Sequence, residues 1–61
     1  MYEVGDLVEV RCNNNNKDVM SAIIVEKHPT REQVYRVMVF DKGSFSEPFW
    51  RHSLDFARKV A

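Results

Sequence analysis

The sequence predicts an all-β domain, a small and strongly curved barrel of five short strands, and three observations carry that expectation. Short apolar runs alternate with polar residues at the period of a strand; Val8, Val10 and Cys12 against Glu9 and Arg11 are the clearest case. Turn-forming clusters punctuate the chain at short intervals: Gly5-Asp6, Asn13 to Asn16, Pro29 and Asp41-Lys42-Gly43-Ser44. The 61 residues leave room for one core and are too few for a sandwich of seven strands, so residues 1–61 read as a single domain.

The elements follow in order. After the lead Tyr2-Glu3-Val4 and the Gly5-Asp6 turn, a first strand covers Leu7 to Cys12 with Val8, Val10 and Cys12 inward. Four successive asparagines end it, because Asn is depleted in sheets and tolerates left-handed turns. Val19 to Lys27, rich in β-branched residues around Ala22-Ile23-Ile24-Val25, predicts a central strand. His28-Pro29-Thr30-Arg31-Glu32 breaks it, since proline has no amide for a sheet ladder. Val34 to Asp41 is the third strand, with Val34, Met38 and Phe40 on one face and Tyr35, Val37 and Val39 on the other. In a closed barrel the second set would face outward, three apolar side chains in a row, which predicts a covered patch; with Leu7 or Val25 alongside, Tyr35, Val37 and Val39 would support either a homodimer or docking on a larger protein. Gly43 supplies the positive φ of a tight turn into a fourth strand, Phe45 to Phe49, which Pro48 confines to an edge or a bend. Trp50 to Ser53 reads as one helical turn, Leu54-Asp55-Phe56 as a closing strand and Ala57 to Ala61 as a polar tail. The alternative is a terminal helix over Leu54 to Val60, capped by Ser53, with Asp55 in its first turn and Arg58 and Lys59 near its end.

Composition narrows the function. Nine Lys plus Arg balance nine Asp plus Glu, so the overall positive field expected of a nucleic-acid binder is missing. Cys12 is the single cysteine, which excludes an internal disulfide and suits a reducing compartment, the cytoplasm by default. No apolar run approaches the roughly 20 residues of a membrane span, and no basic stretch precedes an apolar signal core. His28, His52 and Cys12 lack the spacing of a metal motif, and no Ser, His and acid arrangement is recognisable. A chain this small is also expected to lack a pocket of the roughly 300 Å³ that enclosing a ligand requires. No catalytic residue, cofactor or metal is expected, and the domain reads as a binding module.

Val4-Gly5-Asp6-Leu7-Val8-Glu9-Val10, followed by Ala22-Ile23-Ile24-Val25-Glu26 and Tyr35-Arg36-Val37-Met38-Val39-Phe40-Asp41, resembles the strand plan of SH3-like barrels, shared by Tudor, Agenet and KOW domains. The resemblance runs from about Val4 to Phe56 and implies a five-stranded SH3-like (Tudor-like) small barrel. The chain also resembles short proteins of tailed bacteriophages, which implies the host cytoplasm and an accessory role. Tudor domains hold methylated lysine in an aromatic cage. Here Val19, Met20 and Ser21 stand where a cage aromatic is expected, and Lys42 takes the place of the cage tyrosine in a turn similar to the family's Asp-Tyr-Gly-Asn. Phe40, Phe45 and Trp50 remain as an aromatic surface, so a methylated-lysine reader is a minor alternative. KOW domains are associated with RNA and with transcription or translation machinery. The Gly5-Asp6 opening with Val8 and Val10 is similar to theirs, whereas four asparagines and Lys17-Asp18 replace their glycine-rich first loop.

The candidate binding residues are Tyr35, Phe40, Phe45 and Trp50, as anchors for a protein partner, with Arg36, Lys42 and Arg51 beside them. The alternative use of the same set is nucleic-acid binding, in which the three cations meet phosphate and the rings stack on bases. Against these readings, Trp50 can simply plug the open end of a barrel. The bases Arg11, Lys17, Lys27, Arg31, Arg36, Lys42 and Arg51 can form, with Glu9, Asp18, Glu26, Glu32, Asp41 and Glu47, a mixed solubilising surface.

Overall fold

The computed structural model of the chain describes residues 1–11 and 18–60. The expected inward Cys12, the loop of four asparagines and Lys17 lie outside the described residues. Among the described residues the chain is all-β: β1 Leu7–Arg11, β2 Val19–Lys27, β3 Val34–Asp41, β4 Ser44–Phe45, β5 Phe49–His52, a 3-10 turn Ser53–Asp55 and β6 Phe56–Lys59. All six strands belong to one antiparallel sheet in the order β4-β3-β2-β1-β6, with β5 also paired to β3, and the sheet does not close on itself.

Two irregularities curl it. Ile24 pairs with Val37 and Glu26 with Arg36, which leaves Val25 as an extra residue in β2. Between β1 and β6 the register likewise shifts after Glu9. Such bulges bend a strand and increase its right-handed twist. The concave face collects the rows Val8, Ala22, Val39 and Ile24, Val37, Phe49, since directly opposed residues share a face. These residues, with Val10, Tyr35 and Phe56, make the core, and Tyr2 closes one side of it with edge-on contacts to Tyr35 at 5.7 Å and Phe56 at 5.0 Å.

The faces of β3 are therefore the reverse of the expectation. Tyr35, Val37 and Val39 are core residues, with Val37 fully buried, so they present no surface for a homodimer. Both faces of β3 are apolar and alternation alone does not choose between them. Only the register with β1 and β2, where Ala22 and Ile24 must also turn inward, decides.

The C-terminal third also departs from the sequence reading. The expected fourth strand Phe45 to Phe49 is split: Ser46 leaves the ladder after donating its N–H to Val39 O at 2.7 Å and accepting the Val39 N–H on Oγ at 2.9 Å, and Pro48 follows. Phe49–His52 then runs along β3 as a strand, where a helical turn was expected at Trp50 to Ser53. The turn falls at Ser53–Asp55, with His52 Nδ1 accepting the Leu54 N–H at 3.0 Å and the Ser53 N–H reaching Gln33 O at 2.7 Å. Neither a polar tail nor a terminal helix follows. Phe56–Lys59 pairs with β1, because Phe56 has a core position to fill and β1 offers an unpaired edge. No helix among the described residues is long and apolar enough to cross a membrane.

Candidate functional site

Antiparallel register places three rows on the convex outer face. Glu9, Ser21, Phe40 and Phe45 form one, Leu7, Ile23 and Met38 the next, and Glu26, Arg36 and Trp50 the third. Phe40 and Phe45, 45% and 53% exposed, meet edge to face at 5.1 Å, held together by the two-residue turn Lys42-Gly43 between them. Lys42 and Gly43 both have positive φ, 51° and 85°, as this hairpin geometry requires. Trp50 is 42% exposed on the outer face of the sheet, so it does not fill an interior as the plug reading required. Its indole lies 4.9 Å from the His28 ring and 5.8 Å from the Arg36 guanidinium. Residues 36 and 40 are four apart on one strand, roughly 13 Å at 3.3 Å per residue, so Phe40 and Trp50 sit at the two ends of a stripe bridged by half-buried Met38.

The expected binding set is thus dispersed. Phe40, Phe45 and Trp50 share the outer face, with Arg36 beside Trp50 and Lys42 in the turn beside the two phenylalanines. Tyr35 is in the core. Arg51 faces the other way, its guanidinium 5.2 Å from the Phe49 ring. Of the three expected phosphate contacts, Arg36 is paired with Glu26 at 3.3 Å and Arg51 lies 3.5 Å from Asp55. Lys27–Glu3, Arg58–Glu9 and Lys59–Asp6 complete five ion pairs among the described residues. The basic residues are for the most part members of a mixed-charge surface.

Sequence reasoning missed a groove. It is open, about 450 Å³ in volume, and lies on the concave side between the end of β1, the start of β2 and the β4–β5 edge. Val10, Met20, Val39 and Phe49 line it with Phe45, and Arg11, Arg51 and Asp41 bring charge to it. A sheet that stops short of closure leaves such an opening, which the expectation of a filled barrel hid. Phe45 and Phe49 bring two rings to the groove.

The two histidines are occupied locally. His28 Nδ1 accepts the N–H groups of Thr30 at 3.2 Å and Arg31 at 3.0 Å, and His52 caps the 3-10 turn. Among the described residues no three His, Cys, Asp or Glu side chains converge as a metal site would require. At the other end of the sheet, the Asp6 carboxylate accepts the Glu3 N–H at 2.8 Å and meets Lys59 at 3.2 Å. The backbone hydrogen bond, with Lys59 assisting, holds its pKa below the usual carboxylate value. No protein-family model matches the chain, and neither a curated protein nor a solved structure was found to be similar to it.

Proposed function

We propose that the chain is a non-enzymatic protein-interaction module on an SH3-like scaffold, with an accessory or regulatory role in the cytoplasm. The scaffold reading is supported by an antiparallel meander whose last strand, after one 3-10 turn, returns to pair with the first. The observation that carries the function is the outer stripe of Phe40, Phe45 and Trp50, three large rings each about half exposed on an otherwise charge-balanced surface. Exposed aromatics in a contiguous apolar stripe are the usual anchors of protein interfaces. A Phe40→Ala/Trp50→Ala double variant should keep its β-sheet circular dichroism and lose the partners that the parent captures from lysate. A folded double variant that retains them overturns the reading.

Nucleic-acid binding is the second reading, favoured by Arg36 over Trp50 and by Lys42 next to Phe40 and Phe45. Pairing of Arg36 with Glu26 weighs against it, since a phosphate must first displace that carboxylate, and so does the placement of Arg51 on the opposite face from Trp50. The methylated-lysine alternative at Phe40, Phe45 and Trp50 is weaker still, because Arg36 lies against Trp50 and Lys42 stands in the turn between the two phenylalanines, and both repel a cationic guest.

A further inference from the structure

The groove on the concave side combines three features. Its floor is apolar: Val10 and Val39 are buried, and Met20 and Phe49 are half-buried beside them. Among the described residues that line it, the guanidinium groups of Arg11 and Arg51 outnumber the one carboxylate, that of Asp41. Its outer wall is β4 and β5, each of which, among the described residues, pairs with β3 alone and so leaves one strand edge open. The two arginines are fixed in place. Arg11 Nη1 donates to Leu54 O at 3.2 Å and Phe56 O at 3.3 Å, which anchors its head against the segment that links β5 to β6. Arg51 rests over Phe49, and its contact with Asp55 at 3.5 Å is too long to be a strong ion pair.

We propose that this groove seats an extended peptide in which an aromatic or large aliphatic side chain stands next to a carboxylate. The apolar side chain packs on the floor of the groove and removes the half-buried Met20 and Phe49 from water. The neighbouring carboxylate takes a charge-assisted hydrogen bond from Arg51, whose fork-shaped head suits a carboxylate and is held at the mouth of the groove. The open edge of β4 and β5 gives an extended segment backbone groups to pair with. An excess of cations selects an anionic guest over a cationic one. This inference rests on the protein-interaction reading for the class of partner, but it uses the concave groove in place of the outer stripe, and only Phe45 borders both.

The test is titration of the ¹⁵N-labelled chain, followed by amide chemical shifts, with three end-blocked tripeptides that place Val-Phe before Glu, Gln or Lys. The Glu peptide is expected to shift the amides of Val10, Met20, Val39 and Phe49 at millimolar concentration and to bind roughly five-fold or more tighter than the Gln peptide, the Lys peptide being weakest. Arg51→Gln should bring the Glu peptide down to the affinity of the Gln peptide without altering the latter. Phe49→Ala should weaken all three. Equal affinity for the three peptides, shifts centred on Phe40 and Trp50, or no localised shift at about 10 mM peptide, some tenfold above the millimolar range, overturns the proposal. Failure here with capture still lost in the Phe40→Ala/Trp50→Ala variant removes the groove alone. Success here with capture retained by that variant removes the outer stripe and leaves the groove.

Discussion

His28 and His52 do the work usually given to serine or aspartate at a cap, offering Nδ1 as acceptor to backbone N–H groups that the strands leave unpaired. His28→Ala removes the acceptor for two amides at once and should lower stability by about 1 kcal/mol, as loss of a cap typically does. In a domain of this size that is a fall in Tm of roughly 4–8 °C, and His28→Asn, which keeps a short acceptor, should recover much of it. Asp6 has a different signature. Its folded pKa lies below the ordinary 3.8 because the Glu3 N–H, first, and Lys59 favour the charged form. Its contribution is therefore complete above the ordinary value and is lost as pH falls through the depressed one. The stability gap between the parent and Asp6→Asn should be constant near neutrality and narrow below pH 3.8; a gap unchanged in acid would contradict that assignment. Of these residue roles the sequence shows only part. Gly5-Asp6 and His28-Pro29 are legible as turns, but which atom satisfies which amide depends on neighbours such as Lys59, more than fifty residues away in the chain.

At the scale of elements, the β3–β4 hairpin was the most legible feature, because Asp41-Lys42-Gly43-Ser44 places glycine where φ is 85°. Lys42 is less suited to its own φ of 51°, and Asn tolerates that region better. Lys42→Asn should raise stability by about 0.5 kcal/mol, read from the denaturant midpoint at unchanged slope. Gly43→Ala should lower it through backbone strain alone, since a Cβ there would meet no neighbour within 4 Å. The strands of the first two thirds were legible for the same local reasons, and β2 and β3 fall within their expected bounds. The final third was not, because its elements are set by partners. Trp50-Arg51-His52 carries no strong strand pattern, yet it lies along the open edge of β3. Ala57-Arg58-Lys59 looks like a tail and is a strand because β1 is beside it. The candidate site suffered in proportion: Phe40, Phe45 and Trp50 could be singled out by residue type alone, while the groove depends on where the chain's last strands stop.

For the whole molecule, the core is small enough that one side chain can decide folding. Ile24 is fully buried, and Ile24→Ala should cost about 2–5 kcal/mol. A single core of this size supplies no more than about 3–5 kcal/mol in all, so the variant should be largely unfolded at 25 °C by circular dichroism. Charge acts at the same scale: with five ion pairs among the described residues and no net charge, the protein should show no titratable affinity for single-stranded or duplex oligonucleotides at 150 mM salt, whereas binding that weakens steeply with salt would favour the second reading. The arrangement of β3 has a kinetic consequence as well. It is paired with β2 on one side and with β4 and β5 on the other, while β4, β5 and β6 each hold a single neighbour. Amide protons in the middle of β3 can therefore reach solvent only when the whole sheet comes apart, whereas those of β6 can do so by local opening. The slowest deuterium uptake in the protein, at residues 36–40, then reports its global unfolding free energy directly, and a ligand in the groove should slow uptake along β4 and β5 before it changes β3.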